Sequence, residues 1–357
     1  MKTYFVTGGA GFIGSNFVLY MLDKYEGIRI INIDKLTYAG NLENLKGIKD
    51  DRRHTFVQAD ICDKAKMREL FAQYQPDYVV NFAAESHVDR SIISPEIFVE
   101  TNVMGTVTLL NVARESWETK AGDFGNHKFV QISTDEVYGS LPIDEPDVFF
   151  TEETPITPHS PYSASKAAAD MFALAYGDTY QFPINVTRCS NNYGPYQFPE
   201  KLIPLMINNA LQKKHLPVYG DGLNVRDWLY VEDHCKAIDM VIRSGILGEV
   251  YNIGGHNEYP NIFIIRSIID YIAQNVDNTV SKDLIRYVED RKGHDKRYGI
   301  DSAKIRRDLG WYPETDFETG IKKTIRWYLD NHKWVQNIVS GAYQEYYANM
   351  YEGRMEL

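Results

Sequence analysis

Two groups of residues in this chain of 357 residues carry side chains that can do chemistry together. The first is the run Thr134-Asp135-Glu136, and the second is Tyr162 with Lys166 four positions later. Residues four apart share a face of a helix, and a nearby ammonium group favours a phenolate and lowers the pKa of a tyrosine. Such a tyrosine can take a proton from a sugar hydroxyl while a hydride leaves the same carbon. Lys166 can also hold a nicotinamide ribose, so the pair indicates a nicotinamide-dependent redox step.

The acid pair beside the redox tyrosine indicates a second step. A proton on an ordinary sugar carbon becomes removable once the neighbouring alcohol is oxidised to a ketone. Glu136 can then act as general base, and Asp135 as general acid for a leaving hydroxyl, if their surroundings push their pKa values apart. We expect Asp135 to occupy the less solvated position and to stay protonated. Oxidation followed by loss of water is typical of a sugar dehydratase.

A glycine-rich turn precedes both groups. Gly8, Gly11 and Gly14 follow a predicted strand and open a helix, which lets the backbone approach a pyrophosphate. Asp34 ends the next strand, about twenty residues after Gly14, where a carboxylate binds the adenosine ribose. This carboxylate favours NAD over NADP, and Lys35 beside it weakens the preference. The alternative is a glycine turn that only lets helix and strand pack closely.

Other predicted cofactor contacts lie in the glycine turn and at the ends of later strands. Taken alone, the segments at Asp60 and Phe82 would be better interpreted as plain strand ends. The predicted cofactor-binding residues are Gly8, Gly11, Phe12, Ile13, Gly14, Asp34, Lys35, Leu36, Thr37, Asp60, Ile61, Phe82, Ala83, Ala84, Ser86, Thr101, Tyr162 and Lys166.

The elements that must position these residues alternate between strand and helix. Strand patterns cover residues 3–6, 28–34, 54–60, 77–83, 128–133 and 184–189, and helix patterns cover 11–24, 64–73, 95–118 and 161–180. This alternation predicts an α/β fold, a Rossmann-type doubly wound parallel sheet with a smaller α/β C-terminal substrate-binding domain. We expect residues 1–190 to bind NAD, with a return segment at about 227–245. Residues 191–357, richer in Pro and Tyr, are expected mainly to bind a nucleotide sugar.

The composition limits the classes of partner and the cellular location that we expect for the protein. The net charge of −11 argues against non-specific nucleic-acid binding, and an anionic ligand would need locally placed cations. The three cysteines, Cys62, Cys189 and Cys235, form no C-x-x-C pair, so neither a zinc site nor a disulfide framework is predicted, and a reducing cytoplasm fits. The first strand begins too early for a signal peptide, and no apolar run has the length of a membrane span.

These residues resemble the extended short-chain dehydrogenase/reductase superfamily and, within it, the enzymes that dehydrate dTDP-glucose. The segments that carry the resemblance are 34–40, 83–91, 133–139, 190–196, 226–228 and 293–295. The resemblance implies that Tyr162 acts as base while hydride passes from sugar carbon 4 to NAD. Glu136 and Asp135 then eliminate water across carbons 5 and 6, and hydride returns to carbon 6. It also implies a tightly held NAD regenerated each cycle, a homodimer, and a place in deoxysugar synthesis of the dTDP-rhamnose type.

The resemblance further implies a set of contacts with dTDP-glucose. Thr134 is expected to bind the carbon-4 hydroxyl, and Arg226 and Arg291 can bind two phosphates bidentately. Without the resemblance, Lys201 and Asn261 would be taken for surface residues. The substrate-binding residues so implied are Ser86, Thr134, Asn192, Lys201, Leu202, Pro217, Tyr219, Arg226, Asn261, Arg291, His294 and Asp295.

Three other functions stay open at this point. A nucleotide-sugar 4-epimerase shares the fold, NAD and the Tyr-Lys pair, but it does not need the acids at Asp135 and Glu136. A 4,6-dehydratase of a GDP, UDP or CDP sugar would keep every catalytic residue, because spacing does not predict thymine recognition. A non-catalytic NAD-binding protein is expected to lose the tyrosine, lysine or acids, and all of them are present.

Overall fold

The computed structural model describes residues 1–120 and 122–338. The strands in chain order are β1 (Lys2–Thr7), β2 (Ile28–Asp34), β3 (His54–Gln58), β4 (Tyr78–Asn81), β5 (Lys128–Thr134), β6 (Ile184–Cys189), β7 (Asn191–Tyr193), β8 (Leu216–Tyr219), β9 (Val225–Tyr230), β10 (Val250–Ile253), β11 (Glu258–Pro260) and β12 (Ile285–Val288). The α-helices are α1 (Phe12–Lys24), α2 (Lys64–Tyr74), α3 (Val88–Ile93), α4 (Pro95–Phe98), α5 (Thr106–Trp117), α6 (Pro161–Tyr180), α7 (Leu202–Leu211), α8 (Val231–Ser244), α9 (Asn261–Asn275), α10 (Ala303–Leu309), α11 (Phe317–Asp330) and α12 (His332–Ile338). Short 3₁₀ helices cover Leu42–Ile48, Asp135–Tyr138 and Lys282–Leu284, and a π-helix covers Val99–Gly105.

Seven strands form one parallel sheet in the order β10-β6-β5-β4-β1-β2-β3. β1 lies inside the sheet between β4 and β2, and its Phe5 pairs with Ile31 of β2 and with Val79 of β4. The chain builds outward from β1 to β3 on one side and from β4 to β6 on the other. The order therefore reverses between β1 and β4, and ligands of such sheets bind in the crevice at that point. The predicted Rossmann-type fold class is confirmed.

Both faces of the central sheet are covered by apolar side chains. On one face, Met21 of α1 and Ile238 of α8 pack with Val6 of β1. On the other face, α2 and α5 pack with Phe5, the next residue along the same strand. Because successive strand residues point to opposite faces, the middle of β1, from Tyr4 to Val6, is continuously apolar rather than alternating.

The second half of the chain builds a separate core and also returns to the first. α7, α9 and α11 pack around Met206, Ile265 and Ile325, next to small sheets of the order β11-β9-β7 and β12-β8. Within the predicted return segment, α8 packs on α1, whereas β9 pairs with β7 and β11. The seventh strand of the central sheet is β10, which follows that segment and pairs with β6. The predicted division into two domains stays a prediction, and its last residues, 339–357, lie outside the described ones.

The long helix predicted over residues 95–118 is interrupted by one π-helical turn. This turn, Val99–Gly105, contains Asn102, which is 1% exposed. The Asn102 amide accepts from the Glu85 N–H at 2.8 Å and donates to the Glu85 carbonyl at 3.0 Å and to Ser165 Oγ at 2.8 Å. The turn therefore joins the loop after β4 to α6, and such turns are frequent at functional sites. No helix among the described residues has the length and apolar character needed to cross a membrane.

Candidate active site

The carboxyl ends of β1, β2, β4, β5 and β6 open into one cleft, and a second cleft continues from it beneath the C-terminal half. We call them the first cleft and the second cleft. Five residues line both: Ser86, Glu136, Asn191, Glu200 and Lys201. The two clefts therefore form one continuous site.

The glycine turn between β1 and α1 forms one end of the first cleft. Gly8 has φ +69°, and a Cβ at Gly8 would lie 2.6 Å from the Ala83 nitrogen. A Cβ at Gly14 would meet the Gly8 carbonyl oxygen. α1 begins after Gly11, which provides no side-chain cap, so the first N–H groups of the helix point into the cleft end. The backbone is thus open at the place where a pyrophosphate would bind.

Asp34, at the end of β2, forms the next wall of the first cleft. Its two oxygens accept hydrogen bonds from the Leu36 N–H at 2.7 Å and the Ala10 N–H at 3.0 Å. Lys35 Nζ lies 2.6 Å from Asp60 Oδ2, so this lysine is paired with an acid. A carboxylate at the ribose position, with the adjacent cation already paired, fits NAD better than NADP.

The remaining predicted cofactor residues line the same cleft, with one exception. Leu36 packs against the core beside α1 and contributes its backbone N–H to Asp34 rather than a side chain to the cleft. Its φ of +59° places the backbone for that contact. The glycine turn, Asp34 and the small residues after β4 together fit a dinucleotide.

β5 ends in the 3₁₀ helix Asp135–Tyr138, which carries the acid pair. Thr134 caps this turn by accepting from the Glu136 N–H at 3.2 Å, and its hydroxyl donates to Asp135 Oδ1 at 3.2 Å. Asp135 is 1% exposed, and its Oδ2 has no hydrogen-bond partner among the described residues. Burial, together with the negative charge of Glu136, raises the pKa of Asp135 well above its usual range.

Glu136 lies in a different environment. Burial raises its pKa as well, but the positive charges of Arg226, Lys201 and Arg291 oppose the rise. Asp135 is opposed by Arg226 alone among these cations. The surroundings therefore favour a protonated Asp135 next to an ionised Glu136, which is the pairing that a general acid and a general base require.

Tyr162 and Lys166 lie in the first two turns of α6. Ser160 starts this helix with a capping box, because it and Ser163 each accept a hydrogen bond from the other's backbone N–H, at 3.1 and 3.0 Å. Lys166 is 5% exposed, and its Nζ donates to the Ile132 carbonyl at 2.6 Å. The start of the helix thus places both side chains against the end of β5.

In the protein alone, burial and nearby carboxyl groups outweigh the expected effect of Lys166 on the pKa of Tyr162. Burial, and then the charge of Glu136, raise the pKa of Tyr162 well above its usual range. Burial also lowers the pKa of Lys166. The physical reason is that the phenol faces two carboxyl groups, while the ammonium group binds a carbonyl of β5. A phenolate at Tyr162 therefore needs positive charge beyond that of Lys166.

The two arginines of the second cleft are held by the protein itself. Arg291 donates from Nε and Nη2 to the two oxygens of Asp89, at 2.9 and 3.0 Å. Arg226 donates to the Val225 and Asp295 carbonyls at 2.8 and 2.9 Å. Asp89 occupies this edge of the Arg291 guanidinium, and the expected bidentate phosphate contact stays a prediction. The positive charge of both arginines still acts on Glu136.

Other predicted substrate residues meet in the same place. Lys201 directly precedes α7 without a side-chain capping bond, and its Nζ donates to the Ser86 carbonyl at 2.9 Å. Asn261 opens α9, and its buried Oδ1 accepts no hydrogen bond from any residue that the structure describes. His294 pairs with Asp290 at 2.6 Å, and burial with two nearby arginines lowers its pKa to about 4. Leu202, Pro217, Tyr219 and Asp295 line the second cleft with them, and Thr134 and Asn192 line the first.

Sequence reasoning missed two residues of this site. The Tyr298 hydroxyl donates to Asp295 Oδ2 at 2.7 Å, and Arg226 lies 4.1 Å from the Tyr298 ring centre. Nothing in the local sequence around Tyr298 indicates that it contacts Asp295 and Arg226. Asn191 lines both clefts, and its buried Oδ1 is unpartnered among the described residues. Its position next to the predicted Asn192 was a signal that could have found it.

Fold and site together define a nicotinamide-dependent enzyme of the short-chain dehydrogenase/reductase type with an added acid-base pair. The family model described as "GDP-mannose 4,6 dehydratase" matches residues 5–324. The dTDP-glucose 4,6-dehydratase of Salmonella typhimurium is 54% identical, over 98% of this chain and 99% of the relative. The chain therefore belongs to the nucleotide-sugar 4,6-dehydratase family, in its dTDP-glucose 4,6-dehydratase branch.

Two solved structures are similar over nearly the whole chain. The dTDP-glucose 4,6-dehydratase of Bacillus anthracis, in complex with NAD, is 50% identical, with a TM-score of 0.85 and coverage of 95% of this chain and 100% of that one. The dTDP-glucose 4,6-dehydratase of Streptomyces venezuelae, with NAD and a dTDP ligand, is 44% identical, with a TM-score of 0.86 and coverage of 94% and 99%.

Proposed function

We propose that the chain converts dTDP-glucose to dTDP-4-keto-6-deoxy-glucose with loss of one water. The acid pair carries this proposal. Asp135 and Glu136 line the cleft that Tyr162 also lines, and Glu136 stands where the first cleft meets the second. A dehydrogenase or epimerase that works through Tyr162 does not need these two carboxyl groups. The names of the relatives support the same reaction and the same nucleotide sugar.

The first step is oxidation of sugar carbon 4. Tyr162 accepts the proton of the carbon-4 hydroxyl, and Thr134 hydrogen-bonds the oxygen. Bound NAD, held by the glycine turn and Asp34, supplies a positively charged hydride acceptor that is reduced and reoxidised in each cycle. Lys166 shares the helix face of Tyr162 and stabilises the phenolate through its charge. Oxidation makes the proton on carbon 5 acidic.

Elimination follows on the 3₁₀ helix Asp135–Tyr138, which we call the acid-base turn. Glu136 removes the carbon-5 proton, and Asp135 gives its proton to the carbon-6 hydroxyl, which leaves as water. Carbon 6 is then reduced and carbon 5 takes back a proton, so the product differs from the substrate by one water. Positioned acid-base groups of this kind contribute about 10²- to 10⁴-fold in rate.

The second cleft is proposed to hold the nucleotide diphosphate. The overall charge of −11 repels such a ligand, so binding depends on local cations. Lys201, Arg226 and Arg291 supply them, and all three line that cleft. The unpartnered Asn261 Oδ1 is available to accept a hydrogen bond from the ligand. We accordingly propose that residues 191–357 mainly bind the nucleotide sugar and that residues 1–190, with the return segment at about 227–245, form the domain that binds NAD.

We propose that two copies of the chain form a homodimer. Apolar side chains are exposed along α3, α4, the π-helix and α6, which pack side by side. The exposed apolar residues there are Ile92, Ile93, Ile97, Val99, Met104, Met171 and Phe172. We further propose that the enzyme works in the cytoplasm, in deoxysugar synthesis of the dTDP-rhamnose type. The three thiols, which are free among the described residues, are compatible with a reducing compartment.

The test is incubation of the purified protein with dTDP-glucose in deuterated water, followed by mass spectrometry. We expect loss of one water and one solvent deuterium at carbon 5. A Tyr162→Phe variant serves as the control and should form little product. An unchanged mass with a galactose product would show that the enzyme epimerises. Conversion of a GDP, UDP or CDP sugar in preference to dTDP-glucose would contradict the proposed substrate.

A further inference from the structure

Asp170 is a buried carboxylate that the steps above do not use. It follows Lys166 by four positions on α6, so the two side chains share a face of the helix. Asp170 is 0% exposed, and Arg188 Nε, on β6, donates to its Oδ2 at 3.0 Å. A carboxylate so far from water is retained in ionised form only next to a partner charge.

This ion pair continues to the acid-base turn. Arg188 Nη1 donates to the Tyr138 hydroxyl at 2.9 Å, and that hydroxyl donates to Asn252 Oδ1 at 2.8 Å. Tyr138 is the last residue of the 3₁₀ helix that begins with Asp135. One chain of buried hydrogen bonds therefore joins the helix of Tyr162 and Lys166 to the turn that carries both catalytic carboxyl groups.

Fold stability alone does not account for these charges. The cost of removing two ions from water offsets most of their attraction, and apolar residues of similar volume are often at least as stabilising. Asp170 and Arg188 are 0% and 2% exposed, so both bear this cost. α6 and β6 already pack through apolar residues such as Ala173 and Val186. The charge of the pair is therefore the property that needs an explanation.

The charges around Lys166 show what Asp170 contributes. The buried cluster contains two cations, Lys166 and Arg188, and one carboxylate. Burial lowers the pKa of Lys166, and Asp170 is the strongest influence in the opposite direction. Cys189 on β6 adds a smaller effect of the same sign, and Tyr162 and Asp135 line the adjoining cleft. Without Asp170, two cations would share a site of low dielectric constant, and Lys166 would give up its proton more readily.

We propose that Asp170 is a positioning residue that keeps Lys166 protonated and, through Arg188 and Tyr138, holds that ammonium in register with the acid-base turn. Asp170 lines neither cleft and acts through Lys166. The proposal deepens the function proposed above and rests on it. It concerns a charge, so it can be tested by variants that change the charge in opposite directions.

Two single variants form the test. Asp170→Asn leaves Lys166 beside an uncompensated Arg188, whereas Arg188→Gln leaves Lys166 beside an uncompensated carboxylate. We expect the pKa of Lys166 to fall by about one unit or more in the first variant and to rise in the second. The measurement is an NMR titration of protein labelled with ¹³Cε-lysine, in which the Lys166 signal is identified by its loss in Lys166→Met. Shifts in the same direction in both variants, or no shift, would overturn the proposal.

A double variant guards against a single variant that does not fold. Asp170→Asn with Arg188→Gln removes one charge of each sign and leaves Lys166 without its carboxylate. We expect its Lys166 pKa to lie below that of the unchanged chain, because Asp170 is the strongest influence that opposes burial at Lys166. A Lys166 pKa that is unchanged or higher in the double variant would overturn the proposal.

A kinetic measurement tests whether the charge of Asp170 affects the oxidation step. In an Asp135→Asn background only oxidation of carbon 4 remains, and a single turnover is followed by the absorbance of reduced nicotinamide. As the pH is raised, the oxidation rate should begin to decline at a lower pH once Asp170→Asn is added, because Lys166 then loses its proton earlier. KM for dTDP-glucose should stay within about twofold, because Asp170 lines neither cleft. A raised KM with an unchanged pH profile would contradict the proposal. If the unchanged enzyme does not oxidise dTDP-glucose, the proposed function fails, while the NMR titration still decides the role of Asp170.

Discussion

Asp135 and Glu136 are neighbours in sequence, yet their surroundings assign them opposite protonation states. Asp135 is buried and meets one of the nearby cations, whereas Glu136 reaches the second cleft and meets three. Each carboxyl group also raises the cost of ionising the other, so only one of the pair is readily charged. The residue that faces the cations is the one expected to act as the base. The two carboxyl groups are of the same chemical type, so their different protonation states follow from their different positions.

At this scale we predict that Asp135→Asn blocks elimination while oxidation continues. The amide keeps the shape of the acid but has no proton to give to the leaving hydroxyl. Dehydration should fall by about 10²- to 10⁴-fold, and reduced nicotinamide should accumulate. Mass spectrometry of the product and the absorbance of the bound cofactor measure the two effects. Asp144→Asn, on an exposed part of the following loop, is the matched control and should leave both unchanged.

The pH dependence of kcat follows from the same two groups. Activity should fall as the pH rises through the pKa of Asp135, because the acid loses its proton, and as the pH falls through the pKa of Glu136, because the base gains one. Both pKa values are raised by burial. The acidic limb should therefore lie above about 4.3, where a free glutamate titrates. An acidic limb at or below that value, in a plot of kcat against pH, would contradict the assignment of Glu136 as base.

At the scale of elements, the ends of helices and strands determine the geometry of the site. α6 starts at a capping box one residue before Pro161, and this start fixes the turn in which Tyr162 lies. β5 ends at Thr134, whose hydroxyl starts the acid-base turn. The π-helical turn then joins α6 to the loop after β4 through Asn102. These two element ends and the π-helical turn thus bring the acid pair, the tyrosine and the cofactor loop together.

We predict that Ser160→Ala destabilises the protein by about 1 kcal/mol, because the capping hydrogen bond to the Ser163 N–H is lost. Urea denaturation followed by circular dichroism measures this change. Ser267→Ala is the control, since Ser267 lies inside α9 and its hydroxyl donates to the Phe263 carbonyl of the same helix, without capping a helix end. An equal loss of stability in both variants would mean that the cap itself contributes nothing.

At the scale of the whole molecule, the sheet brings distant segments to one edge. The strand order reverses between β1 and β4, so the glycine turn, the loop after β4 and the acid-base turn all meet there. The second half of the chain then covers this edge with α7, α9 and the segment that carries Arg291 and His294. Oxidation and elimination can share one cavity because the cofactor cleft and the substrate cleft are continuous at Glu136.

The exposed apolar face of α6 yields a prediction at the same scale. Phe172→Glu should convert the proposed homodimer to a monomer, because a charge would be buried against the same face of the partner. Sedimentation velocity of the purified variant measures the mass in solution. Phe263→Glu is the control: Phe263 is 43% exposed on α9, against 44% for Phe172, and it lies away from the α3–α6 face. A Phe172→Glu protein that keeps the mass of the unchanged chain would place the interface elsewhere.

The sequence by itself determined the features that depend on neighbours along the chain. The glycine turn, the spacing of Tyr162 and Lys166 and the alternation of strands with helices are local patterns, and the fold class follows from them. The predicted bounds of β2, β6 and α6 coincide with the structure for the same reason. Capping residues, proline and β-branched runs act over a few residues, so their effects can be read without tertiary structure.

Tertiary structure decided the features that depend on which elements meet. Arg291 pairs with Asp89 across 202 positions, and no local pattern indicates that this carboxylate lies beside the guanidinium. The raised pKa of Tyr162 comes from burial and from Glu136 on another element, against the expectation from Lys166 alone. Tyr298 and the Asp170–Arg188 pair became visible only in three dimensions. Charge partners and burial depend on which surfaces pack together. The sequence gives the types of the residues, but it does not give the contacts between them.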